Sequence, residues 1–179
     1  MPCRETVPEA RKEDVKENDV GAAAAEQSLS VNIRKMSLLD VGSVHAIESA
    51  SFPTPWRRRT FASRLLMSDH RGYVAEVGGE IVGYIVFRFH LGQAHLQKVA
   101  VAKEFRRHGI GTRLMEFLFD QAEADGVEVV HLEVRPGNQD AQKFYKAFHF
   151  TLDHIRENYY SDTGEAAHIL MRRVDLLES

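Results

Sequence analysis

The sequence predicts one α+β domain with a central, mostly antiparallel mixed sheet flanked by helices. Three observations support this fold class. Strand and helix patterns alternate from Val31 onward, Gly78-Gly79 separates two strand patterns, and an amphipathic helix pattern follows a glycine loop at residues 106–111. The predicted element order is β-α-α-β-β-β-α-β-α-β-β, over a domain at residues 31–175.

A short strand and a helix are predicted to begin the domain. Residues 31–35 alternate as a strand does, and Ser37 and Asp40 have the spacing of a capping box that opens a helix. The apolar positions of that helix include Leu38, Val41, Val44 and Ile47. The prolines of Phe52-Pro53-Thr54-Pro55-Trp56 end it.

A second helix and a strand hairpin follow. The helix is predicted over residues 60–67, with these side chains facing inward: Phe61, Leu65 and Leu66. Strand patterns at residues 73–77 and 80–89 flank Gly78-Gly79, a pair typical of a tight turn. We therefore expect these two strands to pair antiparallel.

A parallel crossover is predicted next. A strand at residues 94–101 leads into the glycine loop, and a helix at residues 112–124 leaves it, with Gly126 as its stop. A strand at residues 127–134 follows directly. Because a strand, a helix and a strand in this order form a right-handed crossover, the two strands should be parallel.

The chain is predicted to end with one more helix and a second hairpin. Asn138 stands where a side chain caps a helix that runs to about residue 148. The inner face of that helix carries Ala141, Phe144, Tyr145 and Phe148. Strand patterns at residues 151–156 and 166–174 flank a turn and predict the hairpin.

The glycine loop predicts a phosphate site, because backbone N–H groups at a helix start attract anions. Two common phosphate motifs do not fit it. A P-loop requires Gly-Lys-Ser/Thr where this chain has Gly111-Thr112-Arg113, and a dinucleotide fingerprint requires three spaced glycines. The remaining pattern is Arg/Gln-x-x-Gly-x-Gly/Ala, formed by Arg106, Arg107, His108, Gly109, Ile110 and Gly111.

Composition argues against several classes of protein. The net charge of −3 gives no reason to expect direct nucleic-acid binding, and the single cysteine, Cys3, cannot form an internal disulfide. No apolar run approaches the roughly 18 residues that cross a bilayer, and no signal-peptide pattern is present. We therefore expect a cytoplasmic protein without a membrane partner, while the oligomeric state stays open.

The first 30 residues differ from the rest in composition. They mix charges with the run Ala22-Ala23-Ala24-Ala25 and contain no aromatic residue, so they cannot bury enough surface to offset the entropy of ordering. We predict a disordered tail at residues 1–30. A transient helix over residues 9–27 is the alternative.

Histidines and arginines give weaker signals. The nine histidines have no metal-binding spacing and no cysteine partner, so we expect no metal site. The run Arg57-Arg58-Arg59 is typical of a solvated loop, and contact with ribosomal RNA is the alternative.

Four segments together resemble the GCN5-related N-acetyltransferase superfamily. They are Phe52-Pro53-Thr54-Pro55-Trp56, the glycine loop, Leu132-Glu133-Val134-Arg135 and Asn158-Tyr159-Tyr160. Within it they are most similar to bacterial ribosomal-protein alanine N-acetyltransferases and to archaeal protein N-terminal acetyltransferases. The resemblance implies the N-acetyltransferase fold, acetyl-CoA as cosubstrate and a protein N-terminus as acceptor.

Glu133 is the candidate general base. Strand alternation puts it on one face with Val129 and His131. From strand position alone, an exposed glutamate paired with Arg135 or another cation is the more ordinary interpretation, whereas the Leu-Glu-Val-Arg resemblance favours the base. Its pKa would have to be raised by burial, or it would act through an ordered water. His131 either relays its proton or is a plain strand histidine.

Tyr145 is the candidate general acid. A phenol keeps its proton at neutral pH and can pass it to the departing thiolate. Its spacing from Phe144 and Phe148 also fits an ordinary core aromatic. The resemblance favours the acid, because the family has its acid tyrosine on the helix after the Leu-Glu-Val-Arg strand.

The cofactor contacts follow from the loop and from the resemblance. Loop amides would bind the pyrophosphate, Arg106 and Arg107 would add positive charge, and Gly109 and Gly111 would allow a close approach. The resemblance implies that the backbone of Val99, Ala100 and Val101 binds the pantetheine arm and the thioester carbonyl. It also implies a cofactor contact for Asn138, whose other interpretation is the helix cap.

Two loops are left for the acceptor, and they carry Trp56, Tyr159 and Tyr160. These aromatic side chains offer rigid contact area, although loop packing explains them equally well. Ser161 and Glu165-Ala166-Ala167 depart from the family pattern and leave the peptide preference open.

The sequence thus predicts an enzyme that transfers acetyl from acetyl-CoA directly to a protein N-terminal amine, with a ribosomal protein that begins with alanine as the favoured target. Cys3 is not a credible acyl carrier. Two alternatives stay open. One is a polyamine or aminoglycoside acetyltransferase, and the other is a non-catalytic acetyl-CoA-binding module.

Overall fold

A computed structural model describes residues 29–174, and its elements follow the predicted order. The strands are β1 (Val31–Lys35), β2 (His70–Val77), β3 (Glu80–His90), β4 (Gln93–Val101), β5 (Val129–Val134), β6 (Thr151–Arg156) and β7 (Ala167–Arg173). The helices are α1 (Val41–Ser51), α2 (Arg58–Leu65), α3 (Ile110–Ala124) and α4 (Gln139–Ala147). The predicted tail, residues 1–30, falls almost wholly outside the described residues.

All seven strands form one mixed sheet in the order β1-β2-β3-β4-β5-β7-β6. Among the strands of residues 29–174, only β4 and β5 pair in parallel, and α3 connects them, as the crossover prediction requires. The predicted hairpins are both present, since β2 pairs antiparallel with β3 and β6 with β7. β7 lies between β5 and β6, so the C-terminal hairpin extends the sheet beside β5.

The two faces of the sheet bury separate hydrophobic clusters, as alternation along β3 makes plain. Tyr84 and Val86 pack with residues of α1 and α2, whereas Ile85 and Phe87 pack with residues of α3. Because successive side chains of a strand point to opposite faces, one strand serves both clusters. Helices therefore cover both faces of the central strands.

The ends of the first two helices correct the sequence prediction. The capping box of Ser37 and Asp40 is present, but it opens a 3₁₀ turn that precedes α1, and Leu38 in that turn is exposed. α2 ends at Leu65, and Leu66 is 77% exposed rather than inward. Phe61 and Leu65 share a helical face, while the next position is rotated away by about 100°.

A β-bulge in β4 lies next to the point where β4 and β5 separate. Leu96 lies opposite Phe87 of β3, but Lys98 lies opposite the adjacent Val86, so Gln97 is the extra residue. The ladder between β4 and β5 ends at the pair Leu96 and Leu132. Beyond this point β4 has no pairing to β5, and the two strands part.

Candidate active site

A cavity of about 1610 Å³ is lined by the parts of β4 and β5 that lie beyond their ladder. Most of the predicted site residues line it: Trp56, Val99, Ala100, Val101, Arg106, Arg107, Gly109, Gly111, Glu133, Asn138, Tyr145, Tyr159 and Tyr160. His108 and Ile110 do not. Ile110 is buried in the core, and the exposed His108 ring donates from Nδ1 to the carbonyl of Arg106 at 2.9 Å.

The glycine loop opens α3 in the way that the sequence predicts for an anion site. Gly109 is the N-cap, with φ of +75°, and Arg107 before it also has a positive φ of 67°. No atom lies within 4 Å of where a Cβ on Gly109 would stand. Helix geometry leaves N–H groups without an intrahelical partner at Ile110, Gly111 and Thr112. These groups and the open space beside Gly109 fit a pyrophosphate.

Two loop residues have packing roles as well. The Arg106 guanidinium donates to the Val101 carbonyl at 3.0 Å and to the Ser51 hydroxyl at 3.2 Å, so it links the loop to β4 and α1. A Cβ on Gly111 would stand 3.4 Å from the Phe144 ring of α4. The loop is thus fixed against β4, α1 and α4 before any ligand binds.

Glu133 projects from β5 and is held by a histidine of β4. Its Oε2 lies 2.6 Å from His95 Nε2, and both side chains are mostly buried. Burial raises the pKa of Glu133, but the hydrogen bond from His95 and the nearby imidazoles outweigh it, and the pKa lies below its usual value. Of the two routes that the sequence leaves open for Glu133, a pKa raised by burial is not found, and action through an ordered water stays open. Arg135 does not pair with Glu133.

His131 contacts His95, which in turn bonds the Glu133 carboxylate. Its ring stacks on the His95 ring, with centroids 4.7 Å apart and planes at 10°. Burial lowers the pKa of His131, and the neighbouring His95 lowers it further. The imidazole in direct contact with Glu133 is thus His95, which the sequence reasoning had passed over.

Tyr145 both packs in the core and reaches the cavity. Its ring lies 5.5 Å from Phe144 and 5.8 Å from Phe150, centroid to centroid, and the side chain lines the cavity. Burial raises the pKa of its hydroxyl well above the usual range, and Tyr160 adds to this rise. The phenol keeps its proton at neutral pH, as a proton donor must.

Asn138 is the N-cap of α4. Its Oδ1 accepts a hydrogen bond from the Ala141 N–H at 3.1 Å. The capping interpretation is therefore correct, and because Asn138 also lines the cavity, a cofactor contact is compatible with it.

Two further loops line the cavity. One is Phe52-Pro53-Thr54-Pro55-Trp56, called the acceptor loop after the contact predicted for it from the sequence, and the other is the hairpin loop, residues 157–166 between β6 and β7. Thr54 donates to Asp162 at 2.6 Å, which joins the two loops. Arg135 binds both carboxylate oxygens of Asp162 at 2.8 and 2.9 Å, and its guanidinium stacks 3.8 Å from the Tyr160 ring centroid.

A buried carboxylate accepts a hydrogen bond from the backbone of the acceptor loop. Glu48 of α1 is 0% exposed, and its oxygens accept hydrogen bonds from the Trp56 N–H at 2.8 Å and from the Tyr84 hydroxyl. Lys98 of β4 lies 2.9 Å from the same carboxylate and 3.8 Å from the centroid of the Phe52 ring. No role was predicted from the sequence for Glu48 or Lys98. Helical spacing puts Glu48 on the same inward face of α1 as Val41 and Val44, and this spacing was the sequence feature that could have predicted a buried carboxylate.

Two further features bear on the class of protein. Among residues 29–174, no set of three or more His, Cys, Asp and Glu side chains is grouped as a metal site requires. Within the same residues, no helix has the length and apolar character needed to span a membrane.

The family model of the acetyltransferase (GNAT) family matches residues 41–150, a stretch that runs from α1 through the glycine loop to the end of α4. The chain belongs to the GNAT family. It is accordingly an N-acetyltransferase, and acetyl-CoA is its acetyl donor.

GNAT enzymes that modify protein N-termini are among the relatives. The chain is 30% identical over 131 residues to the [ribosomal protein bS18]-alanine N-acetyltransferase of Escherichia coli K12, covering 73% of this chain and 88% of that one. It is 32% identical over 161 residues to an N-alpha-acetyltransferase of Sulfurisphaera tokodaii, covering 83% and 96%. The crystal structure of Ard1 from Thermoplasma volcanium matches with a TM-score of 0.76 at 29% identity, covering 84% and 100%.

Proposed function

We propose that this GNAT enzyme acetylates the N-terminal α-amino group of a protein, with the N-terminal alanine of a small-subunit ribosomal protein as its target. One observation carries the proposal: Glu133, Tyr145 and both aromatic loops line a single cavity where β4 and β5 part. The acceptors in the names of the E. coli and Sulfurisphaera relatives support the same class. The cytoplasmic location stays a prediction from the sequence.

An α-amine suits a site with a modest base. At pH 7 roughly a tenth of α-amines are neutral, against about a thousandth or less of lysine side chains. The Glu133 carboxylate is ionised at neutral pH, and it takes the proton from the attacking amine directly or through water. His95 keeps one carboxylate oxygen in place.

Tyr145 supplies the proton that the departing thiolate needs. Acetyl-CoA brings the activated acetyl group to this site when it binds. The N–H groups at the start of α3 and Arg107 would hold its pyrophosphate, and the backbone of Val99 to Val101, on the β4 edge beyond the ladder, would hold its pantetheine arm.

Charge at the acceptor end favours a peptide over a polycation. Arg57, Arg59 and Arg64, just after the acceptor loop, line the cavity, and so does Lys98, whose charge is matched by Glu48. The acidic side chains there already have partners, since His95 bonds Glu133 and Arg135 bonds Asp162. A polyamine or aminoglycoside would meet net repulsion, whereas a peptide presents a single amine followed by neutral amides.

Release of the CoA thiol with different acceptors tests the proposed function. We expect turnover with peptides that begin with free Ala, Ser or Met, no turnover with the same peptides blocked at the N-terminus, and none with spermidine or an aminoglycoside. Thiol release with spermidine or an aminoglycoside, and none with peptides, would refute a protein N-terminus as the acceptor. A protein that binds acetyl-CoA without releasing thiol would be a binding module.

Two conservative variants test the assigned roles. Glu133→Gln and Tyr145→Phe keep the shape of each side chain and remove the base or the acid. We expect each to lower the rate by about a hundredfold or more while acetyl-CoA affinity is unchanged. Unchanged rates in both would refute acid–base catalysis by this pair.

A further inference from the structure

Glu48 bonds both ends of the acceptor loop. Its backbone carbonyl accepts the Phe52 N–H at 3.0 Å, and its side-chain Oε1 accepts the Trp56 N–H at 2.8 Å. The loop between them contains two prolines and belongs to no helix or strand. Because regular hydrogen bonding does not fix this loop, the two bonds to Glu48 hold its two ends, while the bond from Thr54 to Asp162 holds its middle.

The carboxylate of Glu48 is neutralised in place. Lys98 Nζ lies 2.9 Å from Oε1, and the Tyr84 hydroxyl donates to Oε2. A carboxylate with no exposed surface is stable only when such partners replace its water. α1, β3 and β4 therefore meet at this one group.

Lys98 connects the Glu48 carboxylate to two aromatic side chains in the wall of the cavity. Its ammonium lies 3.8 Å from the centroid of the Phe52 ring and 5.4 Å from that of Trp56, within the range of cation–π attraction. All three side chains line the cavity, whereas Glu48 does not. Glu48 is thus behind the wall and cannot touch an acceptor.

We propose that Glu48 is a positioning residue for the acceptor. Its carboxylate, paired with Lys98, fixes Phe52 and Trp56 in the wall of the cavity, and acceptor affinity depends on that placement. The inference rests on the proposed function, because it takes the acceptor loop to contact the amine substrate. It assigns Glu48 no part in binding acetyl-CoA and no part in proton transfer.

Steady-state kinetics and the fluorescence of Trp56, the single tryptophan of the chain, test the proposal together. For Glu48→Ala we expect the KM for an alanine peptide to rise about tenfold, the equivalent of one hydrogen bond, with the KM for acetyl-CoA unchanged. We also expect a red-shifted emission and stronger acrylamide quenching. Glu48→Gln keeps an oxygen for the Trp56 N–H and should restore most of both properties.

Glu76→Ala is the matched control. Glu76 of β2 pairs with Arg34 at 2.7 Å and does not line the cavity. Its removal deletes a carboxylate ion pair that is partly exposed and remote from the cavity, and we expect no change in acceptor KM or in Trp56 emission. An equal effect of Glu76→Ala would mean that general destabilisation, rather than position, accounts for the result.

Three outcomes would overturn the proposal. They are a Trp56 emission that does not change in Glu48→Ala, an emission change without a change in acceptor KM, and a proportional rise in both KM values. If Glu48→Ala does not fold, Lys98→Met, which removes the ring contact, takes its place with the same expectations. If the wild type acetylates no peptide, the proposed function fails, and the same comparison with whichever amine is turned over still decides the role of Glu48.

Discussion

His95 Nε2 of β4 lies 2.6 Å from Glu133 Oε2 of β5. These two strands are the parallel pair of the described sheet. The contact exists because His95 of β4 stands in register with His131 of β5, two residues before Glu133. Burial alone would raise the pKa of this carboxylate, and the hydrogen bond reverses the direction. The neighbouring strand therefore sets the acidity of the candidate base.

Removal of His95 should shift the pH dependence of the reaction. In His95→Leu the lowering influence on Glu133 is lost while its burial remains, so the pKa of Glu133 rises. The carboxylate is then protonated up to a higher pH, and the acidic limb of kcat/KM should move to higher pH. pH–rate profiles check this. His154→Leu is the control, since that exposed histidine pairs with Asp153 on β6, and a limb unmoved in His95→Leu would contradict the assignment.

The two loop glycines should respond differently to alanine. Gly109→Ala imposes a positive φ on a residue with a Cβ, at a cost of about 1–2 kcal/mol, and should weaken acetyl-CoA binding. Gly111→Ala places a Cβ in ordinary contact with Phe144 inside a helix, so it should keep acetyl-CoA affinity and gain up to about 1 kcal/mol of stability. Calorimetric binding and denaturant unfolding measure both. The reverse order of effects would contradict this account of the loop.

The hydrogen bond between Thr54 and Asp162 should contribute to acceptor binding. Thr54→Val keeps the shape of the side chain and deletes the one direct bond found between the acceptor loop and the hairpin loop in the described part of the chain. We expect the acceptor KM to rise severalfold, with the KM for acetyl-CoA unchanged. Thr163→Val is the control, because Thr163 bonds Arg135 and the Glu165 N–H without reaching the acceptor loop. Equal KM values in Thr54→Val and wild type would show that the bond is dispensable.

The two roles of Asn138 can be separated. Asn138→Ala deletes the cap of α4 and should cost about 1 kcal/mol of stability. Asn138→Asp keeps the cap but adds a negative charge in the cavity, so stability should hold while acetyl-CoA binding weakens. Thermal unfolding and binding assays distinguish the two. If Asn138→Asp binds acetyl-CoA as tightly as wild type, Asn138 caps α4 and does not contact the cosubstrate.

The sequence predicted what local periodicity determines. The element order, the hairpin at Gly78-Gly79 and the parallel crossover were all predicted, because each depends on neighbouring residues. The contact of His95 with Glu133 could not be predicted, since it depends on the register of two strands separated by a helix. The partners of Glu48 likewise come from three different elements.

Fragment-ion mass spectrometry of an acetylated peptide tests the central claim most directly. The substrate is a peptide with a free N-terminal alanine and one internal lysine, incubated with enzyme and acetyl-CoA. The account predicts one added acetyl group, located on the alanine α-amine, and none on the lysine. Acetylation of the lysine, or an unchanged peptide mass under conditions where another amine is acetylated, would contradict it.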